Sequence, residues 1–542
     1  MPRLRLRTLL RRLTHKLISK TLRPRTKHKH ATGPAGSNFC KLPAELLFAI
    51  CSLLSLRDVR NLGLTSSGVR LTVLPVLFRV IHVENQETFN ALLSCPNITR
   101  HLQEFKITCL SKYSQRRRTW ISSSGQDHER VERIMSEKMV SAAHTGALRL
   151  HFLRRLEWNA ITAPADIFWR VVSTSCPCLK EIAIQVDEPP KGQSSLWKLK
   201  RLTSFSLTIW DPKAGAKEGL SPAMWEMLVT HCPDLRYLAI QGAEGSSLDC
   251  TPAFRGRWAS LQRLAVSSGV YNDELVHFLR FHTKLQHLDI AWIGTEEHRT
   301  STEATEQQAS KHLIPLPVLR TFVGNIHFAS KIISSPEDIR ILDVSYTLLL
   351  PRLLPSLRPF LSSFTFLTSL AIGLRFEGTQ DSVSIFSVLA ASCAHLTFFH
   401  VICIPVLPMH RLEELASELQ CLPFLRILQL SEQKYGRYDE LMSDTAGRIA
   451  LNNPQLTEVR IVWITTPLSK EQYTQFGTYH VVLNERGDPA RLLANEVQTR
   501  RRSSKRRWRQ FRYNITARRA LWETTSTSVG SSIIYGLPGF MI

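Results

Sequence analysis

Apolar side chains recur along this chain in two distinct rhythms. Between Lys41 and Val83 the rhythm is helical: Leu46, Leu47, Ile50, Leu53 and Leu54 fall on the faces of one helix. Val59, Leu62 and Leu64 continue the pattern, and Val69 and Leu74 carry it into a third stretch. Ser55-Leu-Arg-Asp58 opens the second stretch as a capping box with Asp in place of Glu, so Asp58 meets the free N–H groups of a new helix. Thr65-Ser-Ser67 separates the second stretch from the third. Three short helices with leucine on more than one face cannot hide it internally, so part of that surface is expected to be covered by a partner.

From about residue 100 the rhythm becomes that of short strands. A phrase of the form Leu-x-x-Leu-x-Ile appears at 102, 153, 179, 202, 235, 261, 285, 319, 339, 367, 396, 425 and 456, with aliphatic or aromatic substitutes. The mean step from 153 onward is about 27.5 residues, inside the range of leucine-rich repeats. The fourth and sixth positions alternate inward on a strand, and each unit has too little apolar surface to fold without its neighbours. Cys-Pro or a similar pair precedes several phrases (CPNI at 95, CPCL at 176, CPDL at 232, CAHL at 393, NPQL at 453), giving the order helix, proline stop, strand. The spacing varies from 20 to 34 residues and the Asn that follows the strand in regular repeats is mostly missing. The expected fold class is therefore α/β: an all-α three-helix module followed by an irregular leucine-rich-repeat-like solenoid, an arc or horseshoe lined by a mainly parallel sheet.

Charge alters this picture only at the ends. The formal net charge is +24, but residues 1–41 hold 12 Lys/Arg and residues 500–519 hold 10, with no acid in either. Those segments carry 22 of the 24 charges, so the body is almost neutral. Residues 1–38 read as a basic tail, with Leu6, Leu10, Leu13 and Leu17 on one helical stripe among arginines. Such a segment suits a nuclear address, an anionic membrane surface or mitochondrial targeting by residues 1–30. The 496–542 segment, with Arg500 to Arg512 interleaved by Trp508 and Phe511, suits an importin, nucleic-acid phosphates or acidic lipid. Eleven scattered cysteines without a secretory leader point to reduced thiols, and no apolar run approaches the length of a membrane span. Nucleus and cytoplasm are the expected locations.

The segment from Lys41 to Val83 closely resembles an F-box, the module that joins a protein to the Skp-type adaptor of a cullin–RING ubiquitin ligase. The matching residues are Leu42, Pro43, Glu45, Leu46, Leu47, Ile50, Leu54, Asp58, Leu62, Thr65, Ser66 and Arg70, without the Trp that many F-boxes carry after the Arg. The Pro75-Val-Leu-Phe78-Arg79 tail resembles the run that follows the module in many fungal F-box proteins. The resemblance implies residues 39–83 as the F-box, with Leu42, Pro43, Glu45, Leu46, Leu47, Ile50, Leu54, Asp58 and Leu62 meeting the adaptor and, through it, a cullin. Residues 84–495 then form the repeat domain, interrupted by polar insertions at 111–147 and 294–312. Outward strand positions are the candidates for protein cargo: Tyr237, His287, Asp289, Phe398, His400 and Ile402, foremost the group around Phe398.

A search for chemistry gives nothing that competes. There is no Gly-x-Ser-x-Gly elbow, phosphate loop, dinucleotide fingerprint or His-Glu-x-x-His, and Cys176-Pro-Cys178 lacks the second pair of a zinc site. The expectation is a non-catalytic substrate receptor with no cofactor, metal or small-molecule substrate. The open alternatives are an F-box scaffold working without a cullin, and a nucleic-acid or membrane-surface binder acting through the basic ends.

Overall fold

The structure, a computed structural model, describes residues 42–108, 125–146, 148–210, 219–242, 248–267, 273–290, 316–333, 335–350, 354–376, 385–404, 407, 409–435, 441–466, 471–485, 487 and 489–502. The chain divides into two compact units between Val73 and Leu74.

Around the first unit, helices form at the three stretches of helical rhythm: α1 (Ala44–Leu53), α2 (Leu56–Gly63) and α3 (Ser67–Leu77), the last running past the division. Pro43 stands before α1, and its carbonyl accepts from the Leu47 N–H at 3.1 Å. Ser55 caps α2: its Oγ accepts from the Asp58 N–H at 3.3 Å and donates to Asp58 Oδ2 at 2.6 Å. The Asp58 carboxylate thus braces the cap hydroxyl and sits where the helix dipole favours a negative charge. Ser66 Oγ accepts from the Val69 N–H at 3.1 Å, and Arg70 Nε donates to the Gly63 carbonyl at 3.1 Å, tying the start of α3 to the end of α2.

The second unit is mixed α/β, built on one sixteen-stranded sheet whose order in space is its order in the chain. Its narrow part comprises β1 (Val80–Val83), β2 (Glu104–Thr108), β3 (Arg155–Asn159), β4 (Glu181–Val186), β5 (Ser204–Ile209), β6 (Tyr237–Gly242), β7 (Arg263–Val266), β8 (His287–Ile290) and β9 (Thr321–Val323). Longer strands follow: β10 (Ile341–Leu349), β11 (Ser369–Arg375), β12 (Phe398–Ile404), β13 (Ile427–Tyr435), β14 (Glu458–Thr466), β15 (Glu471–Leu483) and β16 (Pro489–Arg502). Pairing is parallel from β1 through β14 and antiparallel for the last two steps.

The thirteen sequence phrases become β2 to β14, and every one of those strands begins at the third position of its phrase. Register is set one residue earlier. The position-two carbonyl of one phrase accepts from the position-two and position-three N–H groups of the next: Arg154 O takes Lys180 N and Glu181 N, both at 2.8 Å. First, fourth and sixth positions form the core, as in Leu179, Ile182 and Ile184 or Leu425, Leu428 and Leu430, all buried. The Cys-Pro device works as local sterics requires. Cys176, Cys232 and Asn453 end their helices at φ −119°, −125° and −135° with ψ 64°, 59° and 73°, outside the helical region that a following proline disfavours. Their carbonyls then accept from Leu179, Leu235 and Leu456 N–H at 3.1, 3.3 and 3.1 Å, a turn that delivers the chain into the next strand.

Four features depart from the sequence expectations. Val80–Val83, assigned above to the helical module, is instead the first strand of the sheet, paired with β2. The 111–147 segment is more than an insertion: Gly125–His144 is a helix whose Met135, Met139 and Ala142 enter the continuous core. Its C-terminus is closed by Gly146 at φ +72°, a left-handed conformation that glycine adopts without cost. The last two strands form an antiparallel hairpin on the end of the parallel stack, and the backbone of β16 extends to Arg502, inside the segment read as a basic tail. Fourth, position five faces outward yet is buried at Ala239, Ala265, Asp289, Asp343, Ala371 and His400. The 294–312 insertion lies outside the described residues, as do residues 1–38 and 503–542. No helix among the described residues is long and apolar enough to cross a membrane.

Candidate partner-binding surfaces

α1 reads Ala-Glu-Leu-Leu-Phe-Ala-Ile-Cys-Ser-Leu, apolar nearly all round, a composition that globular proteins ordinarily bury. Among its described side chains only Leu47 and Cys51, one turn apart, are fully buried. Leu46, Phe48 and Leu53 on α1, Leu54 after it, Leu56 on α2, Leu64 and Leu71 are exposed, with Leu53 at 87%. These seven are over a third of the large exposed hydrophobics among the described residues, so the three short helices leave an unusual share of apolar surface in solvent, on more than one side of α1. Covering it would contribute on the order of 10 kcal/mol before the costs of association.

Of the residues expected at the adaptor, Pro43, Glu45, Leu46, Leu54 and Asp58 are exposed, and Leu42, Ile50 and Leu62 are half-buried. Leu47 is buried, so its side chain is not presented to a partner. Phe48, Leu53, Leu56, Leu64 and Leu71 belong to the same exposed set and were not among the expected residues. The signal for them was present: α1 has more leucine than one buried stripe can use.

On the outward face of the sheet, in-register pairing gathers the cargo candidates into rows. Tyr237, His287 and Phe398 occupy the third-position row, and Asp289 and His400 the fifth-position row beside it. Tyr237 and His287 lie two strands apart, roughly 10 Å, while β8 and β12 are four strands apart, roughly 19 Å. Tyr237, His287 and Phe398 are half-buried; Asp289, His400 and Ile402 are buried. His400 Nε2 is 2.9 Å from Ser431 Oγ and 3.3 Å from Gln429 Nε2, and the Phe398 ring meets the imidazole edge-on at 6.5 Å. Asp343 Oδ1 accepts from both the N–H and the hydroxyl of Ser345.

The β2–β4 end of the same face has a different character. Lys106 and Arg155 reach Glu157 at 3.2 and 3.6 Å, and Arg155 reaches Glu181 at 3.5 Å, a cross-strand ladder of ion pairs in solvent. Each pair contributes little to stability, but the ladder satisfies the charges and leaves this end polar. The sheet face therefore offers two environments, an ion-paired one and a buried polar and aromatic one.

The thiols are held protonated where they are enclosed. Burial pushes Cys176 and Cys393 up to about 12, and raises Cys232 and Cys403 as well. Nucleophilic cysteines need the opposite shift. Among the described residues no group of His, Cys, Asp and Glu is arranged to hold a metal ion.

Comparison with known proteins does not add to this geometry. No known protein family matches the chain, and no curated protein does.

Proposed function

We propose that this chain is the substrate-recognition subunit of an SCF-type cullin–RING ubiquitin ligase. In this reading the helices at 42–73 dock on a Skp-type adaptor, and the long sheet, a leucine-rich-repeat-like solenoid, holds protein cargo on its outward face. The observation that carries the proposal is the exposed apolar set on α1, α2 and α3, coincident with the F-box-like sequence. The sequential, mostly parallel sheet supports the cargo half of the reading, because every repeat contributes outward side chains in register. The chain then acts by proximity, raising the effective concentration of cargo near the charged conjugating enzyme, and no bond is made or broken on it.

The test is co-purification of the full chain with a Skp-type adaptor and a cullin. Leu42→Ala/Pro43→Ala is expected to lose both partners together while the melting temperature of the sheet unit holds. Retention of the adaptor by that double variant, or failure of wild type to retain it, would remove the proposal.

A further inference from the structure

The edge of the sheet at which the parallel strands begin carries a feature that the ligase reading does not use. Position two of every phrase, the residue just before the strand, is Arg, Lys, Gln or Thr in all thirteen repeats. Six are cations, all exposed: Arg154, Lys180, Arg236, Arg320, Arg340 and Arg426. Because the position-two backbones are bonded in sequence, these side chains emerge from one continuous line, stepping about 4.8 Å per strand. None has a carboxylate partner among the described residues. Lys180 Nζ, Arg340 Nη1 and Arg426 Nη1 donate only to the carbonyls of Arg201, Phe366 and Gln455, at 3.3, 3.3 and 3.0 Å. The position just before each phrase adds Asp234 and Asp338 but also Arg201 and Lys284, all exposed, so the edge keeps its cationic excess on a nearly neutral body and calls for a polyanion.

Rings stand on the same edge. Phe366, His395 and Phe424 each sit immediately before the first residue of successive phrases. They stack in order, Phe366 on His395 at 6.5 Å and 27°, His395 on Phe424 at 5.6 Å and 22°, with the Arg340 guanidinium over the outer face of Phe366 at 4.6 Å. Phe366 and Phe424 are 51% and 50% exposed, and no further ring stacks on Phe424 among the described residues. A line of phosphate-seeking cations beside an exposed aromatic stack is the combination that single-stranded nucleic acid uses: charge tracks the backbone and flat rings take bases. An acidic protein needs only the cations.

We propose that this sheet edge binds single-stranded nucleic acid, with Arg320, Arg340 and Arg426 on phosphates and Phe424 as the stacking platform for a base. The residues named here lie outside the 42–73 helices and the basic terminal segments. The probe is a fluorescein-labelled oligouridylate of about twenty nucleotides, titrated against the full chain by fluorescence anisotropy over a range of salt concentrations. Phe424→Ala is expected to weaken binding roughly ten-fold. Arg320→Ser/Arg340→Ser/Arg426→Ser is expected to flatten the dependence of log affinity on log salt by about 2, and the matching triple Lys variant to restore it. These side chains are exposed, so melting temperatures should stay at the wild-type value, which checks folding. Wild-type affinity in both variants assigns any binding to the terminal segments and overturns the proposal. Competition by polyglutamate as strong as by the oligonucleotide, with Phe424→Ala silent, overturns it in favour of an acidic protein partner.

Discussion

Single residues in this fold are decided by what their neighbours leave open. Glu132 is the clearest case: its buried carboxylate accepts from Ile161 N–H at 2.8 Å, Thr162 N–H at 2.9 Å and Thr162 Oγ1–H at 2.8 Å. Burial raises its pKa, and those bonds pull against the rise. Glu132→Ala would strand three donors in the interior, so it should cost roughly 3 kcal/mol in denaturant unfolding, with Glu132→Gln costing less. His282 is buried in the position that Cys176 and Cys232 hold in other repeats. Trp258 N–H donates to its Nε2 at 3.2 Å, so the proton is on Nδ1, which donates to Phe278 O at 2.6 Å. Desolvation, with nearby Arg257, lowers its pKa to about 4. The unfolded imidazole takes a proton first, near pH 6.5, so stability is complete above that value and falls as pH drops toward 4. The expected loss is about 1.4 kcal/mol per pH unit in that window, and His282→Gln should flatten the dependence. Gly256 is fixed by space: a Cβ there would lie 2.2 Å from the buried Trp258 ring, so Gly256→Ala should destabilise by about 1–3 kcal/mol in thermal unfolding.

At the scale of elements, the chain announces its strands more clearly than its helices. The apolar positions of each phrase, with a proline or turn before it, made the existence and the starts of β2 to β14 legible, while their ends, three to nine residues further on, were not. Gly125–His144 was harder to see because basic and polar neighbours dominate its composition, although Val131, Met135, Met139 and Ala142 follow helical spacing. The β15–β16 hairpin was hidden for the same reason: the arginines at 500–502 read as a tail, while backbone pairing continues through them. Charge describes side chains and says little about where a ladder stops. For α2 the local signal was sound. Ser55→Ala should remove the cap on the Asp58 N–H and cost about 1 kcal/mol, seen as faster hydrogen exchange at that amide.

For the whole molecule, the candidate surfaces were only partly readable. The apolar character of the 42–73 helices was visible, but which leucines face solvent was not, because α1 offers apolar residues on every side and tertiary packing selects Leu47 and Cys51 for the interior. On the sheet, alternation named the outward residues, yet it gave no sign that Asp289, His400 and Ile402 would be buried. The edge cations were spelled out at position two of six of the thirteen phrases, and became a line only once the register was known. The central claim is that the exposed leucines form an adaptor-docking face. Calorimetric titration of the full chain with a purified Skp-type adaptor tests it most directly. Saturable binding is predicted for wild type, abolished by Leu53→Asp/Leu71→Asp and unchanged by Phe424→Ala on the sheet. Wild-type affinity in the Leu53→Asp/Leu71→Asp variant, or no heat of binding for the wild-type chain, would contradict the account.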